Sequence, residues 1–152
     1  MKTILYICLT ILVFGCKSTK KCVPDNQSSN SFNQTNEIIR ITASVGRIEQ
    51  ASDSFSISNV LIKENKLFID VTYAGGCEDH QFQLIGSSIL TKSLPPIRSI
   101  QLVHNANGDN CKMNLTKRIE VDIKELSYKK EVDSKILFNL NGWETQIIYT
   151  YE

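Results

Sequence analysis

Two short segments hold the residues able to do chemistry: Gly75-Gly76-Cys77-Glu78-Asp79-His80-Gln81-Phe82 and Leu102-Val103-His104-Asn105-Ala106-Asn107-Gly108-Asp109-Asn110-Cys111. The first contains a CxxH spacing and the second HxxxxDxC. In an oxidising compartment the default for Cys77 and Cys111 is a disulfide to each other. Closing a loop of about 35 residues would then stabilise the fold by roughly 3 to 4 kcal/mol. His80 and His104 would hydrogen-bond to loop backbone, and Asp109, after the turn pair Asn107-Gly108, would accept backbone N–H groups. The same residues also form a Cys2His2 set, Cys77, His80, His104 and Cys111, whose soft and borderline donors suit zinc or copper. An oxidised bridge that leaves the two histidines and Asp109 as a weaker divalent site is a variant of that reading. A nucleophilic reading takes Cys77 as attacking group, His80 or His104 as base and Asp109 as orienter, with the N–H groups of Gly75 and Gly76 facing an oxyanion. No nucleophile elbow or other catalytic motif surrounds these residues, and the paired glycines read as a turn with positive φ. The expectation is therefore a disulfide staple without enzyme activity or cofactor, with a zinc or copper site as the alternative.

The elements that must position these residues are short and alternate with period two, the mark of half-buried strands. The pattern predicts strands at 38–42, 55–62, 67–73, 80–85, 97–104, 117–124, 135–140 and 145–151. Eight such strands imply an all-β, antiparallel two-sheet sandwich, immunoglobulin-like or a related Greek key. Ile119, Val121 and Ile123 should face inward, leaving Glu120 and Asp122 on the wet face. Lys63-Glu64-Asn65-Lys66 marks one hairpin, and Asn141-Gly142 is the preferred pair for a type I′ turn in another. Successive antiparallel strands send their connections to alternate ends of a sandwich. That count brings 75–80, 104–111 and 141–143 to one end, with His80 and His104 pointing inward at its rim. Trp143, Tyr149 and Tyr151 read either as an aromatic contact surface or as core.

The start of the chain has another purpose. Lys2 precedes an apolar run from Ile4 to Phe14, which is the order of a secretory signal and is shorter than the roughly 20 residues a membrane span needs. The run ends in Leu12-Val13-Phe14-Gly15-Cys16, which resembles the lipobox of bacterial lipoproteins. That resemblance implies cleavage before Cys16, a diacylglyceryl group on its thiol and an acylated amine. Several acyl chains, at about 0.8 kcal/mol per buried methylene, anchor a protein to a membrane. The organisation implied is a signal peptide at 1–15, a polar tether from lipidated Cys16 to Asn36, and a β-sandwich domain at 37–152. Rich in Asn, Gln, Ser and Thr, the tether has too little apolar surface to order itself and would hold the domain about 25 Å from the lipid. Lys17 stands after Cys16 where an aspartate would resemble an inner-membrane retention signal, so the outer membrane is the expected address within the cell envelope.

Composition narrows the partners. The whole chain carries 17 basic and 16 acidic side chains; loss of Lys2 with the signal brings the mature protein to formal neutrality. No basic stripe meets phosphates, so nucleic acid is not an expected partner. With Cys8 removed with the signal and Cys16 lipidated, the remaining thiols are Cys22, in the tether, and the Cys77 and Cys111 pair. The GGCxxH and HxxxxDxC segments are similar to those of uncharacterised Gram-negative lipoproteins, which implies an envelope location and no particular activity.

Overall fold

A computed structural model describes residues 38–152. The expected signal peptide, Cys16, the tether and Cys22 lie outside the described residues. The alternation of the sequence builds nine strands: β1 (Ile38–Thr42), β2 (Ser44–Gly46), β3 (Ser56–Lys63), β4 (Lys66–Gly75), β5 (Gln81–Leu90), β6 (Ile97–Asn105), β7 (Met113–Asp122), β8 (Lys135–Leu140) and β9 (Ile147–Thr150). They form two sheets packed as a sandwich, one in the order β1-β7-β4-β3 and the other in the order β2-β5-β6-β8-β9.

The all-β sandwich is as the sequence indicates, but its sheets are mixed rather than antiparallel, and the strand order is not the immunoglobulin one. β1 pairs with β7, β2 with β5 and β6 with β8, all in parallel. Two crossings explain this. Between β1 and β2, buried Ala43 donates its N–H to Asp122 O, and this small residue lets one N-terminal run pass from the first sheet to the second. After β7 the chain turns under the sandwich through a 3-10 turn, Lys124–Leu126, and rises as β8 beside β6. From β4 onward up and down directions do alternate along the chain, as counted, whereas β1 and β3 run the same way. Neighbours in space are not neighbours in sequence, so alternating directions still give parallel pairs.

The core lies between the sheets. Leu67, Ile69, Val71 and Tyr73 of β4 and Ile119 and Val121 of β7 face Phe82 and Leu84 of β5, Ile100 and Leu102 of β6, and Phe138 of β8. Full burial of such side chains contributes about 1.5 to 3 kcal/mol each. Leu126 plugs the lower end. There Gly86 is required by close approach, because a Cβ at this position would sit 2.6 Å from Leu126 Cδ2 and 2.9 Å from Arg98 Cδ. Arg98, also buried, donates to the carbonyl oxygens of Ser87, Leu126 and Ser127. On the outer face of the first sheet Arg118 binds Asp70 through two hydrogen bonds of 2.6 and 2.8 Å, and Glu120 is held between Lys66 and Arg40. This is the expected wet face. Tyr149 is wholly buried, and Trp143 and Tyr151 pack against the core, which decides the aromatic question for that strand in favour of core.

The segment from Arg47 to Ser54 has no periodic pattern and forms a strap. Gln101 points outward from β6 yet is buried, since its amide accepts from Glu49 N and Gln50 N and donates to Gln50 O. Further along, His104 N donates to Ser52 Oγ, and Asp53 N donates to His104 O. The strap thereby seals the upper edge of β6, which β8 leaves open by stopping opposite Ile100.

Candidate functional site

At the upper end, the loop after β4 and the loop after β6 meet. Cys77 and Cys111 form a disulfide, with Cα atoms 5.9 Å apart. The second loop reverses at Asn107-Gly108, where both residues have positive φ (50° and 76°) and Asp109 N donates to Ala106 O. This is the type I′ arrangement that the sequence suggested for Asn141-Gly142. At that second pair only Gly142 has positive φ, and Trp143 N donates to Leu140 O.

The turn delivers Asp109 to the first loop. Its Oδ2 accepts hydrogen bonds from the N–H groups of Gly76, Cys77 and Glu78 at 2.8, 2.9 and 3.0 Å, while Oδ1 accepts from Cys111 N at 2.7 Å. Oδ2 also meets His80 Nε2 at 3.1 Å. The backbone N–H groups of Cys111, Cys77 and Glu78, helped by His80, outweigh desolvation and hold this carboxyl well below the usual carboxylate range. A carboxylate only accepts, so His80 Nε2 carries a hydrogen towards it. His80 Nδ1 is in turn 2.7 Å from His104 Nε2. The result is a chain of one carboxylate and two imidazoles, in which the side chain of His80 is 2% exposed and that of Asp109 fully covered.

Aromatic packing sets the rings. His104 stacks on Phe82 at 4.6 Å between centroids with 8° between planes, and Tyr73 lies 4.6 Å from His80 and 5.0 Å from His104. Phe55, arriving from the strap, meets His104 edge-on. Burial, and then the nearby His80, push the His104 imidazole below its usual range; the backbone of Asp53 and Ser54 pulls the other way. Gly75 leaves room for the chain of rings, since a Cβ there would fall 2.4 Å from His80 Nε2.

Both predicted segments therefore come together. The third does not: the Asn141-Gly142 turn points to the same end but stops four residues of β6 below His104, about 13 Å at the usual strand rise. Three residues that sequence reasoning overlooked complete the arrangement. Tyr73 and Phe55 wall the imidazoles, and Gln101 fixes the strap. Tyr73 continues the inward alternation of Leu67, Ile69 and Val71, a signal present in the sequence; Gln101 gives none.

Chemically the site is a clasp. The sulfurs of Cys77 and Cys111 and a carboxylate oxygen of Asp109 lie within 4.8 Å of one another, yet the two sulfurs are bonded together and are not thiolate donors in this form. His80 uses both ring nitrogens, and His104 Nε2 is engaged by His80. The N–H groups of Gly76, Cys77 and Glu78, which would suit an oxyanion, converge on Asp109 instead.

No protein-family model matches the chain, and no curated protein does. Among solved structures, the chain is similar to a NigD-like immunity protein from Bacteroides caccae, with a TM-score of 0.57 and 14% identity over 76% of this chain. A putative toxin-related protein from Parabacteroides distasonis gives a TM-score of 0.46 at 20% identity over 74% of the chain. A protein of unknown function, DUF1344, from Bacteroides vulgatus gives 0.47 at 14% over 76%. The chain spans 65%, 61% and 57% of the lengths of these proteins, less than two thirds of each. At 14% identity only the β-fold carries over from the first.

Proposed function

We propose that the chain is an exported, lipid-anchored protein of the cell envelope, held on the outer membrane through Cys16, whose sandwich has a binding or structural role and no catalytic one. The observation that carries this reading is the Cys77–Cys111 disulfide. Such a bond persists where thiols are oxidised, outside the cytoplasm. It agrees with the lipobox-like run Leu12 to Cys16. The same end of the molecule supports the non-catalytic reading, since the sulfurs are bonded together and Asp109 occupies the convergent N–H groups.

The test is incorporation of labelled palmitate by the full chain in a Gram-negative host, followed by separation of inner and outer membranes. The native chain should take up label and travel with the outer membrane, and Cys16→Ser should take up none. Absence of label on the native chain, or label that persists in Cys16→Ser, would contradict the lipid anchor.

A further inference from the structure

The strap makes a groove on the outside of the second sheet, backed by Phe82 and His104 of the clasp. It crosses the outer face of the second sheet and leaves a cavity of about 700 Å³ between itself and the upper ends of β5 and β6, within the range usual for small-molecule sites. Gln81 and Gln83 of β5 and Val103 and Asn105 of β6 make the floor, while Gln50 and Asp53 of the strap stand at the wall. Pairing places Gln81 opposite Asn105 and Gln83 opposite Val103. The amides therefore form a small grid, about 7 Å along a strand and about 5 Å across.

This grid is built to exchange hydrogen bonds with a neutral ligand. Each amide has both donors and acceptors; Asn105 Oδ1 already accepts from Asn107 N, while the side chains of Gln81 and Gln83 hydrogen-bond no other described residue. No lysine or arginine lines the groove, so nothing there neutralises an anion. Asp53 brings the single charge; one of its oxygens accepts from Ala106 N, leaving the other. Within the groove an extended peptide meets no ladder, because β5 and β6 bond to each other and the strap takes the far edge of β6; the other edge of β5, which β2 pairs only from Ile85, faces away from it. Hydroxyl groups, each donor and acceptor at once, match amide and carboxylate partners, and Val103 supplies an apolar contact for C–H groups. We propose that this groove binds a neutral saccharide. The proposal gives the binding role a ligand class and does not depend on the lipid anchor, so the failure of either leaves the other standing.

The probes are maltotriose, cellotriose and chitotriose as neutral ligands, with trigalacturonate and tetra-alanine as the charged and peptide alternatives. They are titrated to about 10 mM, the range in which millimolar affinity is visible, into the compact unit Gln34–Glu152, which contains the whole core. The readout is the side-chain NH2 resonances of Gln81, Gln83 and Asn105. A neutral trisaccharide should move them, and the double variant Gln81→Ala, Gln83→Ala should weaken binding about tenfold or more. A control at the opposite end, Lys135→Ala, should leave it unchanged. Movement by trigalacturonate or tetra-alanine in place of the neutral sugars, by none of the probes, or to the same extent in the double variant would overturn the proposal.

Discussion

His80 and His104 share a hydrogen bond of 2.7 Å, Nδ1 to Nε2, at a place where His104 is 2% exposed. Burial and the neighbouring ring both oppose a charge on His104, so this residue is a point at which acidity acts on the fold.

The pH dependence follows from the direction in which His104 is shifted. Folded, it resists protonation through burial and His80; unfolded, it takes a proton near pH 6.5. Its contribution to stability is complete above that value and declines as pH falls below it, by at most about 1.4 kcal/mol per pH unit. Urea denaturation at pH 8, 6.5 and 5 should show the decline, and His104→Gln should flatten it. Equal slopes in the two proteins would contradict the assignment. Asp109 acts in a lower window, since its depressed carboxyl adds stability that is lost only below about pH 4.

Removing either cysteine should have the same effect. Cys77→Ser and Cys111→Ser are each expected to lose about 3 to 4 kcal/mol, for a bridge with a sequence separation of 34. The double variant should lose no more than either single one. Thermal melting with and without reductant checks this, because reductant should lower the native midpoint and leave the variants unmoved.

Asp109→Asn tests the hub. An amide nitrogen brought among the N–H groups of Gly76, Cys77 and Glu78 sets donor against donor. The midpoint of melting should fall well below that of the exposed control Glu125→Gln. Amide exchange should rise at Gly76, Cys77 and Glu78 in particular, and unchanged protection there would contradict the hydrogen-bond assignment.

Gly75 and Gly108 distinguish crowding from backbone strain. Gly75→Ala sets a Cβ against His80 and should cost about 1 to 3 kcal/mol through displacement of the ring. Gly108 has φ +76° with nothing within 4 Å of an added Cβ. Gly108→Ala should therefore cost only the backbone preference, about 1 kcal/mol. Chemical denaturation of the two variants ranks them directly.

Much of this end of the molecule was legible in the sequence. Period-two alternation located β1 and β8 to the residue and put Ile119, Val121 and Ile123 inward, because one face of each sheet is buried. Counting directions brought Cys77 and His80 to the same end as His104, Asp109 and Cys111. Choice of neighbours was not legible. That β8 lies beside β6, or that β2 leaves β1 at Ala43, depends on packing across the core, and three residues of β2 are too few to show a period. Of the N–H groups gathered on Asp109, that of Cys111 is local and fits the expected turn role, but those of Gly76, Cys77 and Glu78 lie 31 to 33 residues away in the chain, where no local pattern could reveal them. The strap was hidden for a similar reason, since its order comes from the Gln101 side chain some 51 residues further on.

The Cys/His end is an oxidised clasp. Its most direct test is intact mass and thiol titration of the Cys22→Ser chain from Lys17 to Glu152, purified from the periplasm without chelator, with metal analysis of the same sample. An oxidised clasp gives no free thiol, a mass two hydrogens below the reduced value and no stoichiometric metal. Two masked thiols, released by chelator together with one metal ion per chain, would contradict it.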